Sequence, residues 1–113
     1  MSANFQFKQF SIAQNLCAMK VGTDGVLLGA WTQTPNGAVV DIGSGTGVIA
    51  LMIAQRNANS TIDAIDLNEN AFLQTKINAE NCPWNNRITA HHSALQDFKP
   101  NRNYQLIVSN PPF

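Results

Sequence analysis

A glycine-rich loop between two apolar segments is the feature that most constrains how this chain folds. Residues 38–42 are apolar and largely β-branched apart from Asp41, a composition that predicts a buried strand. Glycines at positions 43, 45 and 47 follow directly, and residues 48–56 then predict a largely buried helix. A strand, a tight glycine turn and a helix in this order predict the first part of a βαβ unit.

The rest of the chain continues this alternation of helix and strand. A short apolar helix is predicted at 24–31, a second strand at 61–67, and a helix from Asn68, a good N-cap, to residue 81. Weaker strands follow at 87–92 and 104–109. This order predicts an α/β fold with a Rossmann-like sheet of about four parallel strands and helices on both faces. Ligands of such sheets bind beyond the carboxyl ends of the strands.

Two smaller expectations concern the later part of the chain. The helix after Asn68 is expected to place five residues near one broad face: Ala71, Phe72, Thr75, Ile77 and Ala79. His91 and His92 are adjacent in a strand, so they point to opposite faces of it. We therefore do not expect these two histidines to bind one metal ion together.

Composition and charge exclude several classes of protein. Hydrophobic residues make up 44% of the chain and charged residues 12%, which suits a folded domain with a core. No apolar run approaches the roughly 18–20 residues that a membrane-spanning helix requires. Cys17 and Cys82 are too few for a disulfide framework and lack metal-ligand spacing. We expect a cytoplasmic protein with no membrane segment and no metal site.

Asp41 and the glycines after it indicate what kind of ligand the loop can bind. The G-x-G-x-G spacing differs from the G-x-G-x-x-G of dinucleotide-binding loops, and the Asp41 carboxylate would repel a pyrophosphate. It would attract a cation, and S-adenosylmethionine carries an ammonium and a sulfonium but no phosphate. We expect Asp41 to favour that ammonium. The backbone of the loop should approach the methionine moiety along Gly43, Ser44, Gly45, Thr46 and Gly47.

A second carboxylate follows the second predicted strand. Asp66 lies 19 residues after Gly47. In dinucleotide-binding folds an acid at a similar distance accepts hydrogen bonds from ribose hydroxyls. A nicotinamide-dependent oxidoreductase is a competing interpretation, but the glycine spacing and Asp41 oppose it. We expect Asp66 to bind the ribose of S-adenosylmethionine.

The sequence Asn-Pro-Pro-Phe after the last strand suits methylation of an exocyclic amine. The Asn110 side-chain oxygen and the Pro111 carbonyl can accept the two N–H groups of such an amine, which orients its lone pair toward the methyl group. Prolines hold that carbonyl in place because they fix φ. Phe113 can stack on the face of an unpaired or flipped base. We therefore predict four catalytic residues: Asn110, Pro111, Pro112 and Phe113.

These motifs resemble those of the class I S-adenosylmethionine-dependent methyltransferases that methylate amino groups. This group carries Asn/Asp-Pro-Pro followed by an aromatic residue. More narrowly, the chain is similar to the bacterial enzymes that methylate N6 of adenine 37 in tRNA1(Val). The narrower resemblance rests on residues 7–10, 17–31, 41–47 and 109–113, with Pro83-Trp84 and Arg87-Ile88. Residues 20–31 are its most specific part, because the other motifs are widely shared.

The resemblance implies roles for further residues. Lys20, Thr23 and Asp24 would lie beside the methionine end of the cofactor. Where the family usually has an acid near the cofactor's adenine, this chain has Ala94. Recognition of that adenine would then use backbone groups or be weaker. The remaining predicted cofactor-binding residues follow the strand ends: Leu67, Ser93 and Ala94.

The resemblance also implies partners and an organisation. A tRNA substrate is expected, with a full-length enzyme that is monomeric. The 113 residues would be its N-terminal, cofactor-binding half, with residues 1–35 capping the cofactor and 36–113 forming the Rossmann-like core. We expect a truncated chain that binds cofactor weakly and does not methylate RNA by itself. Guanine N2 of rRNA and protein glutamine stay open as alternative substrates, and a non-catalytic cofactor-binding fragment is the alternative from a different class.

Overall fold

The computed structural model describes residues 4–6, 10–16, 21–99 and 102–110, with the backbone alone for residues 4–6 and 23. A small antiparallel pair of strands, β1 (Asn4–Gln6) and β2 (Ser11–Ala13), is followed by helix α1 (Thr23–Trp31). The strand pair is absent from the sequence-based expectations, because strands of three residues are too short to show a clear alternation of side chains.

A parallel sheet and its connecting helices make up the rest of the fold. In chain order the elements are β3 (Gly37–Ile42), α2 (Val48–Arg56), β4 (Ser60–Asp66), α3 (Glu69–Glu80), β5 (Ile88–His92) and β6 (Leu106–Ser109). The strands pair in the order β5-β4-β3-β6, all parallel. The predicted α/β fold is confirmed. Strand order reverses at β3, the switch point where such sheets bind ligands.

Helix α2 forms the centre of the core. Its residues from Val48 to Ala54 are all buried, and they pack on the sheet face that carries Val39, Ile62 and Ala64. Phe10 and Ile12 of the N-terminal segment join the same core. Although α2 is strongly apolar it is only nine residues long, and no helix in the described ranges is long and apolar enough to cross a membrane.

Helix α3 departs from its expected pattern of burial. Asn68 is its N-cap as predicted, since its Oδ1 accepts a hydrogen bond of 3.0 Å from the backbone N–H of Ala71. Ile77 is expected near the same face as Ala71 and Thr75, but it is 39% exposed whereas those two are buried, so that expectation is wrong. Gln74 and Asn78 are buried in its place, because their carboxamides bond to backbone groups of other segments.

The second face of the sheet is covered differently. Within the described residues it carries a 3-10 turn at Leu95–Asp97 and the chain that leads to β6, not an α-helix. Phe98 and Tyr104 of this segment lie beside His91 and Asp63. Asp63 therefore points away from α2, as alternation along β4 requires.

Candidate functional site

The glycine loop turns sharply at the carboxyl end of β3. Gly43, Gly45 and Gly47 have φ values of 72°, 58° and 87°, a region that side chains disfavour. In the described part of the chain, a Cβ added to Gly43 or Gly45 would meet no atom within 4 Å. A Cβ on Gly47 would lie 3.1 Å from Cγ2 of Thr75, so that glycine serves packing against α3. The first two glycines leave space through which a ligand can approach the backbone.

Asp41 carries a buried carboxyl group at the carboxyl end of β3. Asp41 is only 1% exposed, and neither oxygen of its carboxylate has a hydrogen-bond partner among the described residues. Burial, and then the charge of Asp66, raise the pKa of Asp41 to about 7. A buried polar group without a partner is costly, and in native proteins it calls for a functional explanation. A cationic group at this position would supply the missing interaction.

Asp66 joins the loop to the end of β4. Its two carboxylate oxygens accept hydrogen bonds from the N–H groups of Gly45, at 3.0 Å, and of Asn68, at 2.9 Å. Each oxygen keeps a further lone pair, so two hydroxyl groups can still be accepted. The next residue, Leu67, is 71% exposed and lies beside this acid. The N–H of Ser93, just after β5, bonds to the Asp66 carbonyl at 3.0 Å and brings the third strand end to the same place.

The strand register brings Asn110 to the other side of the loop. Ile42 is aligned with Ile65 on one side and with Ser109 on the other. Asp66 and Asn110 are the residues that follow these partners, on strands each about 4.8 Å from β3. A Cβ added to Gly25 would lie 3.3 Å from Nδ2 of Asn110, so the first turn of α1 borders the Asn110 carboxamide.

The structure describes some of the remaining predicted site residues fully, one of them only in its backbone, and others not at all. Asp24 is exposed in the first turn of α1, one residue from Gly25, and the helix N-cap is Gly22. Thr23 begins the helix, and its side chain is outside the described set. Ala94 begins the 3-10 turn that holds the exposed Asp97. Four predicted residues lie outside the described residues: Lys20, Pro111, Pro112 and Phe113.

Sequence reasoning missed the groups on α3 that hold the loop. The Thr75 hydroxyl bonds to the Gly45 carbonyl and to the Ser44 hydroxyl, both at 2.9 Å. The Asn78 carboxamide donates to the Thr46 carbonyl at 2.7 Å. Gln, Thr and Asn at positions 74, 75 and 78 share one side of a helix, and this cluster of polar types was the available signal.

A separate cleft of about 790 Å³ lies at the β5 edge of the sheet. It includes Ser93 among the predicted site residues, but not Asp41, Asp66 or Asn110. The Asp63 carboxylate lines this cleft, and it already has partners. It accepts a hydrogen bond from Arg102 at 2.7 Å and bonds to His91 at 2.9 Å. The cleft is therefore a poorer candidate site than the glycine loop.

The two histidines have the separate environments that their adjacency implies. His91 contacts Asp63, whereas Nε2 of His92 lies 3.0 Å from the Leu67 carbonyl and its ring stacks on Phe72. Over the described ranges, no group of three or more His, Cys, Asp or Glu side chains is arranged to hold a metal ion.

Comparisons with known proteins show what the chain is similar to. The sequence model of the methyltransferase small domain matches residues 18–113. Proteins named tRNA1(Val) (adenine(37)-N6)-methyltransferase from Glaesserella parasuis and Flavobacterium psychrophilum are 51% and 52% identical to the chain, over 98% and 96% of its length. A methyltransferase structure from Thiobacillus denitrificans, in complex with S-adenosyl-L-homocysteine, superposes with a TM-score of 0.64 at 21% identity. It is matched over 85% of this chain and 38% of its own.

The extent of these matches bears on what they show. The chain spans about half the length of the curated relatives, 48% in both cases. The structural match, at 21% identity, shows the fold alone. The resemblance noted from residues 17–31 and the Asn-Pro-Pro-Phe motif is confirmed at the level of the family.

Proposed function

Because the chain belongs to the methyltransferase small domain family, we propose that it forms the cofactor-binding half of an S-adenosylmethionine-dependent enzyme that methylates N6 of adenine 37 in tRNA1(Val). One observation carries the proposal. Asp41, buried and without a partner among the described residues, lies at the base of an open glycine loop flanked by Asp66 and Asn110. The relatives support the substrate, since those that bear this name match nearly the whole chain.

The Asp41 carboxyl, which has no hydrogen-bond partner within the ranges that the structure describes, is the test of whether the cofactor fits. An ammonium and a sulfonium would provide the positive charge that this carboxyl lacks, whereas a phosphate would be repelled. The open space at Gly43 and Gly45 would admit the methionine moiety, and Asp66 would accept the ribose hydroxyls. The exposed Leu67 offers apolar surface to the adenine. The other residues proposed for the cofactor site are Lys20, Thr23, Asp24, Ser44, Thr46, Gly47, Ser93 and Ala94.

Asn110 is proposed to hold the amine that receives the methyl group. Its side-chain oxygen would accept one N–H of the amine, and the Pro111 carbonyl would accept the other. Pro112 would fix the backbone here, and Phe113 would stack on the base. The neighbouring turn of α1 restricts the Asn110 carboxamide, because Gly25 lies against its nitrogen.

The chemistry is divided between the cofactor and the chain. When bound, S-adenosylmethionine supplies a methyl group activated by a positively charged sulfur. The protein's part is positioning and electrostatic complementarity, which can supply several orders of magnitude in rate. The amine loses its proton after the transfer, so the site requires no general base. This agrees with a site in which Asp41, Asp66 and the other proposed titratable residues, Lys20 and Asp24, are all assigned to the cofactor.

The remaining features of the proposal concern organisation and location. We assign residues 1–35 to a segment that caps the cofactor and residues 36–113 to the Rossmann-like core. The partner is tRNA, the compartment is the cytoplasm and the full-length enzyme is monomeric. Contacts of β2 and Leu16 with α3 support the first assignment, because they join the N-terminal segment to the core beside the loop.

Replacing Asn110 by Ala in the longest chain that the gene encodes tests the proposal. Methyl transfer to unmodified tRNA1(Val) should fall by about 100-fold or more, the scale of losing one preorganised hydrogen-bonding group. The affinity for S-adenosylhomocysteine should stay within about twofold, since Asn110 is assigned to the base. Radiolabelled methyl transfer and calorimetry measure the two quantities.

Asn103→Ala is the matched control, because Asn103 is an exposed asparagine on the chain leading to β6. It should leave both quantities unchanged. Undiminished transfer by the Asn110 variant would refute the assigned role. Transfer to rRNA or to a release-factor glutamine in preference to tRNA would identify one of the alternative substrates instead. A chain that binds S-adenosylhomocysteine but methylates none of them would be the non-catalytic alternative.

A further inference from the structure

Three buried polar side chains on α3 stand between the N-terminal segment and the glycine loop. Gln74 and Thr75 are 0% exposed and Asn78 is 2% exposed. We call these the α3 polar residues. Burial of a polar side chain is costly unless it is hydrogen-bonded, so the partners of these side chains indicate what they do. Each has at least one such partner, although Nε2 of Gln74 has none among the described residues.

Asn78 is the member that touches both regions. Its Oδ1 accepts a 2.7 Å hydrogen bond from the Ala13 N–H, and its Nδ2 donates to the Ala13 carbonyl at 2.8 Å. The carboxamide thus pairs with β2 much as a neighbouring strand would. The second hydrogen of Nδ2 goes to the Thr46 carbonyl at 2.7 Å. Both donors of this side chain are used, one on each region.

The other two α3 polar residues each serve one region. The Gln74 Oε1 accepts a 2.7 Å hydrogen bond from the N–H of Leu16, just beyond β2. The Thr75 hydroxyl bonds to Gly45 and Ser44 in the loop. Gln74 and Thr75 both lie one helical turn before Asn78 on α3. Gln74 holds the N-terminal segment, and Thr75 holds the loop.

The N-terminal segment leads directly to the site. The side chain of Gln14, next to β2, accepts a 3.0 Å hydrogen bond from the N–H of Val21. Helix α1 begins two residues later, and its first turn borders Asn110 through Gly25. The position of β2 is therefore coupled to the position of the chain that borders the site.

We infer that Asn78 is a positioning residue that fixes the glycine loop and the N-terminal segment relative to each other, so that both are set for cofactor binding. This inference rests on the proposed function. It assigns Asn78 no contact with reacting atoms. Backbone carbonyls of a loop have no ladder partner, and Asn78 supplies one to Thr46 while it also pairs with Ala13.

Asn78→Asp in the longest chain that the gene encodes is the direct test. Asp keeps the shape and the acceptor but loses both donors, so the carbonyls of Thr46 and Ala13 lose their partner. The KM for S-adenosylmethionine should rise about tenfold, while kcat at saturating cofactor stays within about twofold. A general loss of folded protein would instead lower kcat and leave KM unchanged.

A pair of core variants keeps the inference testable if the Asn78→Asp protein does not fold. Ile12→Ala loosens β2, and Ile62→Ala removes the same side chain from β4; both residues are 0% exposed in the same core. Both should reduce stability, but only Ile12→Ala should raise the KM for the cofactor, by about threefold to tenfold. Equal KM values for the two variants would overturn the inference.

The double variant Ile12→Ala/Asn78→Asp examines the connection itself. If Asn78 carries the effect of β2 to the loop, the double variant should have a KM close to that of Asn78→Asp alone. Effects on KM that multiply would show two independent disturbances and overturn the inference. A wild-type protein that binds no S-adenosylhomocysteine would instead refute the proposed function, so the two failures are distinguishable.

Discussion

Two buried aspartates on neighbouring strands have opposite surroundings. Asp41 of β3 is aligned with Ala64 of β4, and Asp63 precedes Ala64, so the two acids point to opposite faces of the sheet. Asp41 has no hydrogen-bond partner among the described residues. Asp63 accepts hydrogen bonds from Tyr104 and Arg102 and bonds to His91.

Their acid–base behaviour follows from these surroundings. Burial, with the charge of Asp66, raises the pKa of Asp41 to about 7. Burial also acts to raise the pKa of Asp63, but hydrogen bonds from Tyr104, His91 and Arg102, with the charge of Arg102, bring it below its ordinary value. A carboxylate with a full set of partners stabilises the fold, whereas one held without partners is available to a ligand.

The largest effect is expected on the stability of the fold when Asp63 is replaced, because its carboxylate has several hydrogen-bond partners. Asp63→Asn removes the charge that pairs with Arg102 and turns an amide toward groups that donate hydrogen bonds. The free energy of unfolding should fall by about 2–3 kcal/mol, less than for a fully buried ion pair because Arg102 is partly exposed and can rehydrate. Urea denaturation measures this change.

Asp97→Asn is the control for this substitution, because Asp97 is exposed on the 3-10 turn. It should change the stability by less than about 0.5 kcal/mol. Affinity for S-adenosylhomocysteine should be unchanged in both variants. An Asp63→Asn protein as stable as the wild type would show that the network around Asp63 contributes nothing, and the contrast with Asp41 would lose its basis.

The two acids also differ in how far the sequence predicts their roles. Asp41 stands between an apolar strand and three spaced glycines, a local pattern that by itself indicates a ligand site. The partners of Asp63 are 28 to 41 residues away. His91 meets it because β5 pairs with β4, whereas Arg102 and Tyr104 meet it because the chain after β5 crosses the second face of the sheet. Asn78 likewise bonds to Ala13 across 65 residues.

The bounds of the helices and strands are encoded locally in the sequence, whereas the burial of particular polar residues depends on distant contacts. From α1 onward, the predicted bounds of helices and strands lie within two residues of those found, since each element is encoded by adjacent residues. The burial of Gln74 and Asn78 in place of Ile77 could not be predicted, because it depends on which backbone groups α3 meets. The polar cluster at 74, 75 and 78 shows in the sequence that these residues share one side of the helix, but it does not show whether that side is exposed or bonded to distant backbone groups.

Asp41→Asn should have a somewhat smaller effect than Asp63→Asn, and it should act on ligand affinity instead of stability. Affinity for S-adenosylhomocysteine should fall about 30-fold, or about 2 kcal/mol, because a charge-assisted contact with the ammonium is lost. The stability of the free protein at pH 8 should not fall, since the variant removes a buried charge that has no hydrogen-bond partner in the described part of the chain. Calorimetric titration and urea denaturation provide the two measurements.

Asp63→Asn is the matched control here, as it makes the same chemical change on the next strand. The pair should show a reciprocal result, with affinity lost in one variant and stability lost in the other. Loss of stability without loss of affinity in Asp41→Asn would mean that Asp41 is a structural acid like Asp63. That result would also remove the main support for a cationic ligand.

The smallest effect expected is a dependence of cofactor affinity on pH. The pKa of Asp41 in the folded protein is about 7, above its ordinary value, so the folded state holds a proton that the unfolded chain releases. This group's contribution to stability therefore falls as the pH rises from about 4 to 7 and is constant above that. A cationic ligand binds the ionised form, so its affinity should change in the other direction and increase with pH over the upper part of this range.

Between pH 6 and pH 7 the affinity for S-adenosylhomocysteine should rise by about fivefold, as the ionised fraction of Asp41 rises from roughly a tenth to a half. It should level off above pH 7. Titrations at pH 6 in buffers of different ionisation enthalpy should show that binding releases a proton from the protein. Asp41→Asn should abolish both the slope and the release, whereas Asp63→Asn should keep them. If the slope persists in Asp41→Asn, the proton belongs to another group, and the buried carboxyl without partners is not what the cofactor engages.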